Sequence, residues 1–341
     1  MKKKFLIIRL LVLLIVFPAF IRAQSLDERL REIDAYAQKA QTDWNVPGFA
    51  IAIVKDDKVV FAKGYGVRQF GKPEKVDENT LFAIASNSKA FTTAALAILI
   101  DEKKIGGWDD KVSFYLPDFE IYDPYVTREL TIRDLVSHRS GLDTFSGDLL
   151  WYETTFSTDE LLRRVRYLKP KSSFRSQFGY QNLMFAAAGK IVEKVSGKSW
   201  PQFVAERILR PLGMTRTTTS VKDLKDNYSL PHNESGGSGL RVLHLGNVDA
   251  AAPAAGLNSS VADIAKWLRL QLGRGTFEGK QIFSRERSAE MWSAALPMGV
   301  NPFPAKDAPT KLFSAVGRGW FLNDYRGRKV VSHGGGLDGM I

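Results

Sequence analysis

The spacing of apolar positions changes along the chain: it is strand-like near both ends and helical between them. Segments 48–54 and 59–65 are strand-like runs that flank Asp56-Asp57, and this arrangement predicts a β-hairpin. Ahead of the hairpin, Ser25 and Glu28 form a capping-box pattern in front of apolar residues at helical spacing, which predicts a helix. After residue 317 the chain becomes strand-like again.

The middle of the chain, from 108 to about 288, has mainly helical periodicity. The predicted helices are 131–136, 158–168, 182–195, 201–209 and 261–272. Segment 233–239 is rich in glycine and serine, which predicts a loop. Strands at both ends with helices between them predict a sheet part, 24–107 and 289–341, and a mainly helical part, 108–288.

The first 23 residues have the pattern of a secretory signal peptide. Lysines at 2–4 form a basic start, 10–21 an apolar core, and Ala23 offers a cleavage point. Arg9 and Pro18 interrupt the apolar run, which favours a signal over a transmembrane helix; an uncleaved anchor is the alternative. We therefore expect a periplasmic or secreted protein with no stable membrane anchor after signal cleavage.

Composition is that of a globular protein and argues against several classes of function. Of 341 residues, 44% are hydrophobic and 25% are charged. The net charge of +11 falls to +6 without segment 1–23, which has five basic and no acidic residues, and the remaining excess shows no nucleic-acid footprint. There is no cysteine, which excludes disulfides and thiol chemistry. The four histidines lack metal-ligand spacing and no nucleotide-binding loop occurs, so we expect neither a metal nor a cofactor.

Ser86 and Lys89 form the only Ser-x-x-Lys in the chain, where a strand-like segment turns into a long apolar helix. Residues three apart share a helix face, so Ser86 Oγ and Lys89 Nζ can meet. A serine hydroxyl needs a base to become a nucleophile, and a desolvated lysine with a lowered pKa can take its proton. The simpler interpretation is a helix N-cap followed by a surface lysine.

Two further motifs carry groups suited to catalysis. Tyr180 and Asn182 form the only Tyr-x-Asn, on a loop that enters a helix, and offer a phenol and an amide with both donor and acceptor. His333, Gly334 and Gly335 form a His-Gly-Gly motif directly after the strand-like segment 328–332, where glycine lets a ligand approach the backbone. Taken singly, each motif has an ordinary interpretation, as a helix start and as a glycine turn.

Together and in this order, the three motifs resemble the active-site set of the serine β-lactamases and penicillin-binding proteins. Tyr-x-Asn is similar to the second motif of class C β-lactamases, and His-Gly-Gly to the third motif of esterase-like and D-aminopeptidase-like relatives. Segments 135–142, 211–215, 254–260 and 319–321 resemble the same family. The resemblance implies an α/β (α+β) fold with a β-lactamase/transpeptidase-like antiparallel sheet flanked by helices, an all-helical subdomain, and a site in the cleft between them.

The resemblance also implies a role for each motif residue. Ser86 would attack a carbonyl carbon, while Lys89 and Tyr180 would share the proton transfers. The predicted substrate-binding residues are Asn182, His333, Gly335 and Gly336. The backbone N–H groups of Ser86 and Gly336 would form the oxyanion hole.

We expect a serine hydrolase that forms an acyl-enzyme on an ester, an amide or a small D-amino-acid peptide, with a cell-wall peptide as one candidate substrate. A penicillin-binding sensor and an inactive truncated paralogue are the alternatives. An ordinary histidine pKa of about 6.5 would leave His333 mostly uncharged at neutral pH, which weakens the case for anionic β-lactams. His138 is predicted to be structural. For Trp151, Tyr152 and Phe156 a place in the core of the helical region is favoured, and the wall of the pocket is the alternative.

The end of the sequence raises one more expectation. Segment 336–341 resembles the start of a further strand, and relatives continue through two strands and a helix. We therefore expect a fragment or a natural truncation whose sheet has an unpaired edge beside the His333 strand.

Overall fold

A computed structural model of the protein describes residues 24–234, 239–300 and 311–341. Its α-helices are α1 (Leu26–Asp43), α2 (Ser88–Asp101), α3 (Pro124–Glu129), α4 (Ile132–Leu135), α5 (Thr158–Arg164), α6 (Asn182–Ser196), α7 (Trp200–Val204), α8 (Ala252–Ala255), α9 (Val261–Leu272) and α10 (Arg285–Met291). Its strands are β1 (Gly48–Lys55), β2 (Lys58–Gly66), β3 (Phe82–Ala83), β4 (His232–Glu234), β5 (Leu240–Val242), β6 (Asn258–Ser259), β7 (Thr276–Phe277), β8 (Lys280–Gln281), β9 (Leu296–Pro297), β10 (Ser314–Val316), β11 (Phe321–Tyr325) and β12 (Arg328–Ser332). The predicted combination of helices with antiparallel strands is confirmed.

The N-terminal helix and hairpin form as the sequence predicts. Ser25 Oγ accepts from the Glu28 backbone N–H (3.2 Å), while the Glu28 carboxylate accepts from the Ser25 N–H (2.7 Å), which completes the capping box. β1 and β2 pair antiparallel around Asp56 and Asp57, whose φ values are 50° and 58°. Aspartate tolerates this left-handed conformation better than most residues, so the two aspartates suit a tight hairpin turn.

Helix α2 runs through the interior and supports the site. Every residue from Ser88 to Ile100 is buried, as expected for a helix that is apolar on all sides. The Phe91 ring stacks on Trp267 of α9, with 3.8 Å between centroids. α2 also packs against α6 and α8, the helices that supply the partners of Lys89 described below.

All five helices predicted in the middle of the chain are present: α6 and α9 match the predicted bounds to within one residue, and the other three have shorter regular parts. α4 ends at Leu135, α5 gives way to the 3₁₀ turn Val165–Tyr167, and α7 continues as the π-helix Ala205–Leu209. The loop prediction for 233–239 is wrong at its start, because residues 233 and 234 belong to β4, which pairs with β5 as a short hairpin; residues 235–238 lie outside the described residues. Strands of two or three residues are too short to show a period in the sequence.

The larger strands form two separate sheets. β1 and β2 form one, and β9 to β12 form a four-stranded sheet in the order β12-β11-β10-β9. Within the described ranges, no ladder joins them, and β12 pairs with β11 alone, so the edge beside His333 is unpaired. The prediction that 336–341 starts a strand is wrong: Leu337 and Met340 exchange backbone hydrogen bonds around Gly339, whose φ is 70°. An Asp-Gly pair favours such a turn.

The structure bears on only part of the membrane predictions. The predicted signal peptide, 1–23, lies outside the described residues. In the part of the chain that the structure covers, no helix combines the length and apolarity that a bilayer span requires.

Candidate active site

Ser86 lies in the 3₁₀ turn Ala85–Asn87, which leads directly into α2. Ala85 is buried with a φ of 45°, a conformation that costs a non-glycine residue about 1–3 kcal/mol. The Ser88 hydroxyl donates to the Ala85 carbonyl (2.7 Å) and accepts from the Leu257 N–H (3.0 Å). These contacts hold the strained turn in place and present Ser86 at the start of the buried helix.

Lys89 is fully buried and donates to three oxygen atoms. Its Nζ lies 3.0 Å from Ser86 Oγ, 2.7 Å from Asn182 Oδ1 and 3.0 Å from the Ala254 carbonyl. The predicted meeting of Ser86 and Lys89 is therefore present. Burial lowers the pKa of Lys89 to about 7, although the nearby Asp148 carboxylate acts in the opposite direction. A lysine with this pKa is half neutral near pH 7 and can accept a proton from Ser86.

Tyr180 is held beside Ser86 by its backbone. Its N–H donates to Thr144 Oγ1 (3.1 Å), and its carbonyl accepts from the Phe145 N–H (2.8 Å). The hydroxyl is hydrogen-bonded to Ser86, and burial raises the pKa of Tyr180 to about 12. Tyr180 is therefore a neutral phenol near pH 7, so on pKa alone Lys89 is the base and Tyr180 a proton donor.

His138 lies behind Tyr180 and does not face the cleft. Its ring stacks on Tyr180 with 4.3 Å between centroids. Its Nδ1 accepts from the Gln181 backbone N–H (3.0 Å), which places the proton of the neutral ring on Nε2. Burial holds the pKa of His138 well below its usual range, and the charges of Lys89 and His333 lower it further. These contacts support the structural role predicted for His138.

Asp148 is a part of the site that the sequence did not reveal. The Asn182 side chain uses its Oδ1 for Lys89 and its Nδ2–H for Asp148 Oδ2, at 2.7 Å each. The other oxygen of Asp148 accepts from Trp151 Nε1 (3.1 Å). Gly147-Asp148 looks like an ordinary turn in the sequence, and only the fold brings it against α6, so no local signal identifies it.

His333 lies beside Tyr180, with 6.4 Å between the ring centroids, and has a neutral ring. Its Nδ1 lies 2.6 Å from the Gly334 carbonyl, which can only accept, so Nδ1 carries the proton. Nε2 is then an acceptor, and it is buried with no hydrogen-bond partner among the described residues. Burial and the charge of Lys89 lower the pKa of His333 to about 4. The ordinary value of about 6.5 assumed from the sequence is thus too high, because Tyr180 and Phe321 pack around the ring.

The two glycines predicted to bind substrate differ in their surroundings. A Cβ on Gly335 would lie 2.1 Å from the Ile84 carbonyl and 2.9 Å from Asn87 Nδ2, so only glycine lets this segment close on the nucleophile turn. A Cβ on Gly336 would meet no atom closer than 3.9 Å, so a side chain would have room at this position. The oxyanion role of the Gly336 N–H stays a prediction.

A cavity of about 130 Å³ lies beside the site. Ala83, Tyr152, His244 and Leu337 are among its lining residues. Trp151 is buried, as favoured, whereas Tyr152 is 40% exposed, contacts Asp338 and lines this cavity, so the core position favoured for it is wrong and it fits the alternative of a pocket wall. No three His, Asp or Glu side chains in the described ranges are grouped so as to hold a metal ion.

A buried carboxylate fixes the segment that leads to Tyr180. Asp134 is fully buried and accepts from Arg139 Nε (2.6 Å), from Arg175 (2.7 and 2.9 Å) and from Thr131 Oγ1 (2.7 Å). Burial alone would raise the pKa of Asp134, but these donors lower it. The Arg175 N–H also donates to the Arg139 carbonyl (3.0 Å), which ties the two loops together ahead of Tyr180.

Replacing Asp134 by alanine is expected to lower the free energy of unfolding by about 3 kcal/mol, because two arginines then face the interior without a carboxylate. Urea unfolding at pH 7 measures the loss. Glu129→Ala is the matched control: its ion pair with Lys111 is partly exposed, so its loss should be about 1 kcal/mol or less. Equal losses in the two variants would show that the buried Asp134 cluster contributes no more to the free energy of unfolding than an exposed ion pair does. Since the pKa of Asp134 is lowered, its contribution is present above the unfolded-state pKa and disappears as the pH falls through the folded-state value.

Comparisons with known proteins identify relatives that match most of the chain. A family model described as Beta-lactamase matches residues 33–340. "Unguisins hydrolase ungD'" of Aspergillus campestris is 31% identical over 316 residues, which are 87% of this chain and 55% of that protein. "Protein flp" of Staphylococcus aureus is 26% identical over 90% of this chain and 58% of its own length. The chain thus spans somewhat more than half the length of these relatives.

Solved structures show the same fold. The octameric penicillin-binding protein homologue from Pyrococcus abyssi superposes with a TM-score of 0.75 at 24% identity, over 90% of this chain and 68% of that one. The D-amino acid amidase from Ochrobactrum anthropi gives a TM-score of 0.73 at 21% identity, over 91% and 85%. EstCE1, a hydrolase with promiscuous acyltransferase activity, gives 0.69 at 21% identity, over 86% and 82%. At these identities the likeness concerns the fold alone, and it is the predicted β-lactamase/transpeptidase-like one.

Proposed function

The chain belongs to the beta-lactamase family, and on that premise we propose that it is a serine hydrolase that forms an acyl-enzyme on Ser86. One observation carries the proposal: a fully buried lysine with a pKa of about 7 donates to the Ser86 hydroxyl at 3.0 Å. An activated serine needs such a base within hydrogen-bonding reach.

The proposed reaction has two halves. Neutral Lys89 takes the Ser86 proton while Oγ bonds to the substrate carbonyl carbon, and the carbonyl π electrons move to oxygen. As the intermediate collapses, the bond to the leaving group breaks and that group receives a proton through Tyr180, which recovers it from Lys89. A water molecule then attacks the ester, its proton returns by the same residues, and Ser86 is released. The N–H groups of Ser86 and Gly336 are the proposed oxyanion donors.

The surroundings of His333 favour uncharged substrates. With a pKa of about 4, its imidazole is neutral near pH 7, and its unpartnered Nε2 is an acceptor. A neutral acceptor has no charge with which to attract a carboxylate, so esters, amides and short D-amino-acid peptides fit the site better than anionic β-lactams do. A short cell-wall peptide is a candidate that also fits the periplasmic or secreted location we propose from segment 1–23.

A pair of ester substrates, one with a free carboxylate and one with a methyl group in its place, tests the state of His333. Between pH 5.5 and 8 the ratio of their kcat/KM values is expected to stay constant, because a pKa of about 4 keeps the ring neutral throughout. Lys89 titrates in this range but affects both substrates alike. If the carboxylate substrate gained on its partner below pH 6.5, His333 would be protonated there and the assignment would be wrong.

Intact mass spectrometry after incubation with a fluorophosphonate or a fluorescent penicillin tests the proposed function. One fluorophosphonate adduct per chain is expected, and any penicillin adduct should decay as water attacks the ester. A stable penicillin adduct without turnover would instead indicate a covalent sensor. The absence of any adduct on folded protein would refute an activated serine.

A further inference from the structure

We infer that Asp148 is a positioning residue of this site, whose carboxylate sets the orientation of the Asn182 amide and thereby the place of Lys89 Nζ. The inference rests on the proposed function of Ser86 as the nucleophile. Asp148 belongs to none of the three sequence motifs, and it acts here through Asn182 without contact to Ser86 or substrate.

The direction of the hydrogen bonds leaves the Asn182 amide one orientation. A carboxylate only accepts, so the Nδ2–H of Asn182 must face Asp148, at 2.7 Å. The amide oxygen then faces Lys89 Nζ, also at 2.7 Å. A flipped amide would direct N–H groups at the lysine and its oxygen at the carboxylate, and both contacts would be lost. Asp148 therefore selects the orientation in which Asn182 can hold Lys89 against Ser86.

Asp148 itself is held firmly. Trp151 Nε1 donates to its second oxygen at 3.1 Å, and the indole is buried. The preceding residue, Gly147, has a φ of 84°, and a Cβ there would lie 2.6 Å from Leu183 Cδ1 of α6. The turn is thus packed against the helix that carries Asn182, so the carboxylate cannot drift away from the amide.

The charges around Lys89 give Asp148 a distinct signature. Tyr180, His138 and His333 lie near Lys89. The pKa of Tyr180 is about 12, that of His138 is well below its usual range and that of His333 is about 4, so all three are neutral near pH 7. Asp148 is the carboxylate that acts on Lys89, and it favours the protonated lysine. Removing the charge should therefore lower the pKa of Lys89, which a purely architectural role of Asp148 would not do.

Asp148→Asn keeps the size of the side chain and removes the charge. The new amide offers one acceptor and one donor end, so it cannot accept from both Asn182 and Trp151. In the full chain, we expect fluorophosphonate labelling at pH 9 to slow by about 10- to 100-fold, because Lys89 is no longer held in line with Ser86. A lower pKa of Lys89 also means that the labelling rate of the variant declines only at lower pH. The difference in rate between Asp148→Asn and the wild type should therefore shrink as the pH falls.

A second readout does not depend on activity. With lysine labelled by ¹³C at Cε, NMR titration of the full chain follows the Lys89 resonance, identified by its absence in Lys89→Met. Its midpoint is expected at lower pH in Asp148→Asn than in the wild type. An unchanged midpoint would overturn the inference. A wild type that takes no fluorophosphonate would refute the proposed function, while the titration would still decide the role of Asp148.

Two control variants separate charge from architecture. Asp143→Asn removes an exposed carboxylate on the same loop, paired with Lys171, and should keep both the wild-type rate and the Lys89 midpoint. Trp151→Phe removes the indole N–H but keeps the Asp148 carboxylate, so it should lower stability and leave the midpoint in place. A Trp151→Phe protein that reproduced the shift, or an Asp143→Asn protein that did so, would show that loop packing or general charge is responsible.

Discussion

Ser86→Ala is expected to abolish covalent labelling and to lower kcat/KM by on the order of 10⁴-fold or more, the scale on which loss of a catalytic serine acts in other serine hydrolases. The reason is local: Ser86 Oγ is the hydroxyl that both Lys89 and Tyr180 contact. Intact mass spectrometry with a fluorophosphonate measures labelling, and ester hydrolysis measures turnover.

Ser88→Ala is the matched control for this experiment. Ser88 belongs to the same turn, but its hydroxyl is fully buried and bonded to the backbone of Ala85 and Leu257. Its loss should lower the free energy of unfolding by about 1–3 kcal/mol, since a buried donor is left unpaired, and one adduct per chain should still form. Labelling of Ser86→Ala at the wild-type rate would mean that another residue is the nucleophile.

The residues whose contacts lie within one helical turn were predictable from the sequence. Ser86 and Lys89 are three positions apart at the start of an apolar helix, and this spacing alone indicates their contact. The same holds for the Ser25 capping box and the Asp56-Asp57 hairpin, because short-range chemistry determines each of them. Recognition of Tyr180, Asn182 and His333 needed the order of three motifs, since each motif singly is also an ordinary turn or helix start.

The parts that escaped prediction depend on long-range packing. Asp148 lies 34 positions before Asn182, and the two meet only because its turn packs on α6. The lowered pKa of His333 similarly depends on Phe321 and Tyr180, which come from other elements. Segment 336–341 shows the reverse error: its apolar residues suggested a strand, but the Asp-Gly pair makes a turn.

Lys89→Met is expected to lower kcat/KM by about 10²- to 10⁴-fold, the usual contribution of a general base. Methionine has a similar length and no charge, so it can occupy the buried position of Lys89 without the ability to accept a proton. Hydrolysis of a neutral ester at pH 7.5 measures the loss. Retention of activity within a few-fold would leave Tyr180 as the base, although its pKa of about 12 argues against that role.

The same substitution should change how stability depends on pH. Lys89 has a pKa of about 7 in the folded protein against an ordinary lysine pKa of 10.5, so between these values the unfolded chain binds more protons than the folded one. The free energy of unfolding of the wild type should therefore rise with pH from about 7 to 10.5, by roughly 4 kcal/mol at about 1.4 kcal/mol per pKa unit. Lys89→Met lacks this rise, so its stability relative to the wild type should be greatest at or below pH 7 and should fall toward pH 10.

The pH dependence is a cleaner test than stability at one pH, because methionine also leaves the Asn182 and Ala254 oxygens without their donor, at a cost of about 1–3 kcal/mol each. That cost does not vary with pH, whereas the contribution from the titration of Lys89 does.

Lys190→Met is the matched control: burial alone would lower the pKa of Lys190, but its bonds to Asp159 and Glu193 raise it. Its contribution is therefore present below the unfolded-state pKa and is lost only above it, so urea unfolding between pH 6 and 10 should give curves parallel to the wild type. Parallel curves for Lys89→Met as well would show that Lys89 titrates at its usual pKa, and the buried lysine could then not serve as the base for Ser86 at neutral pH.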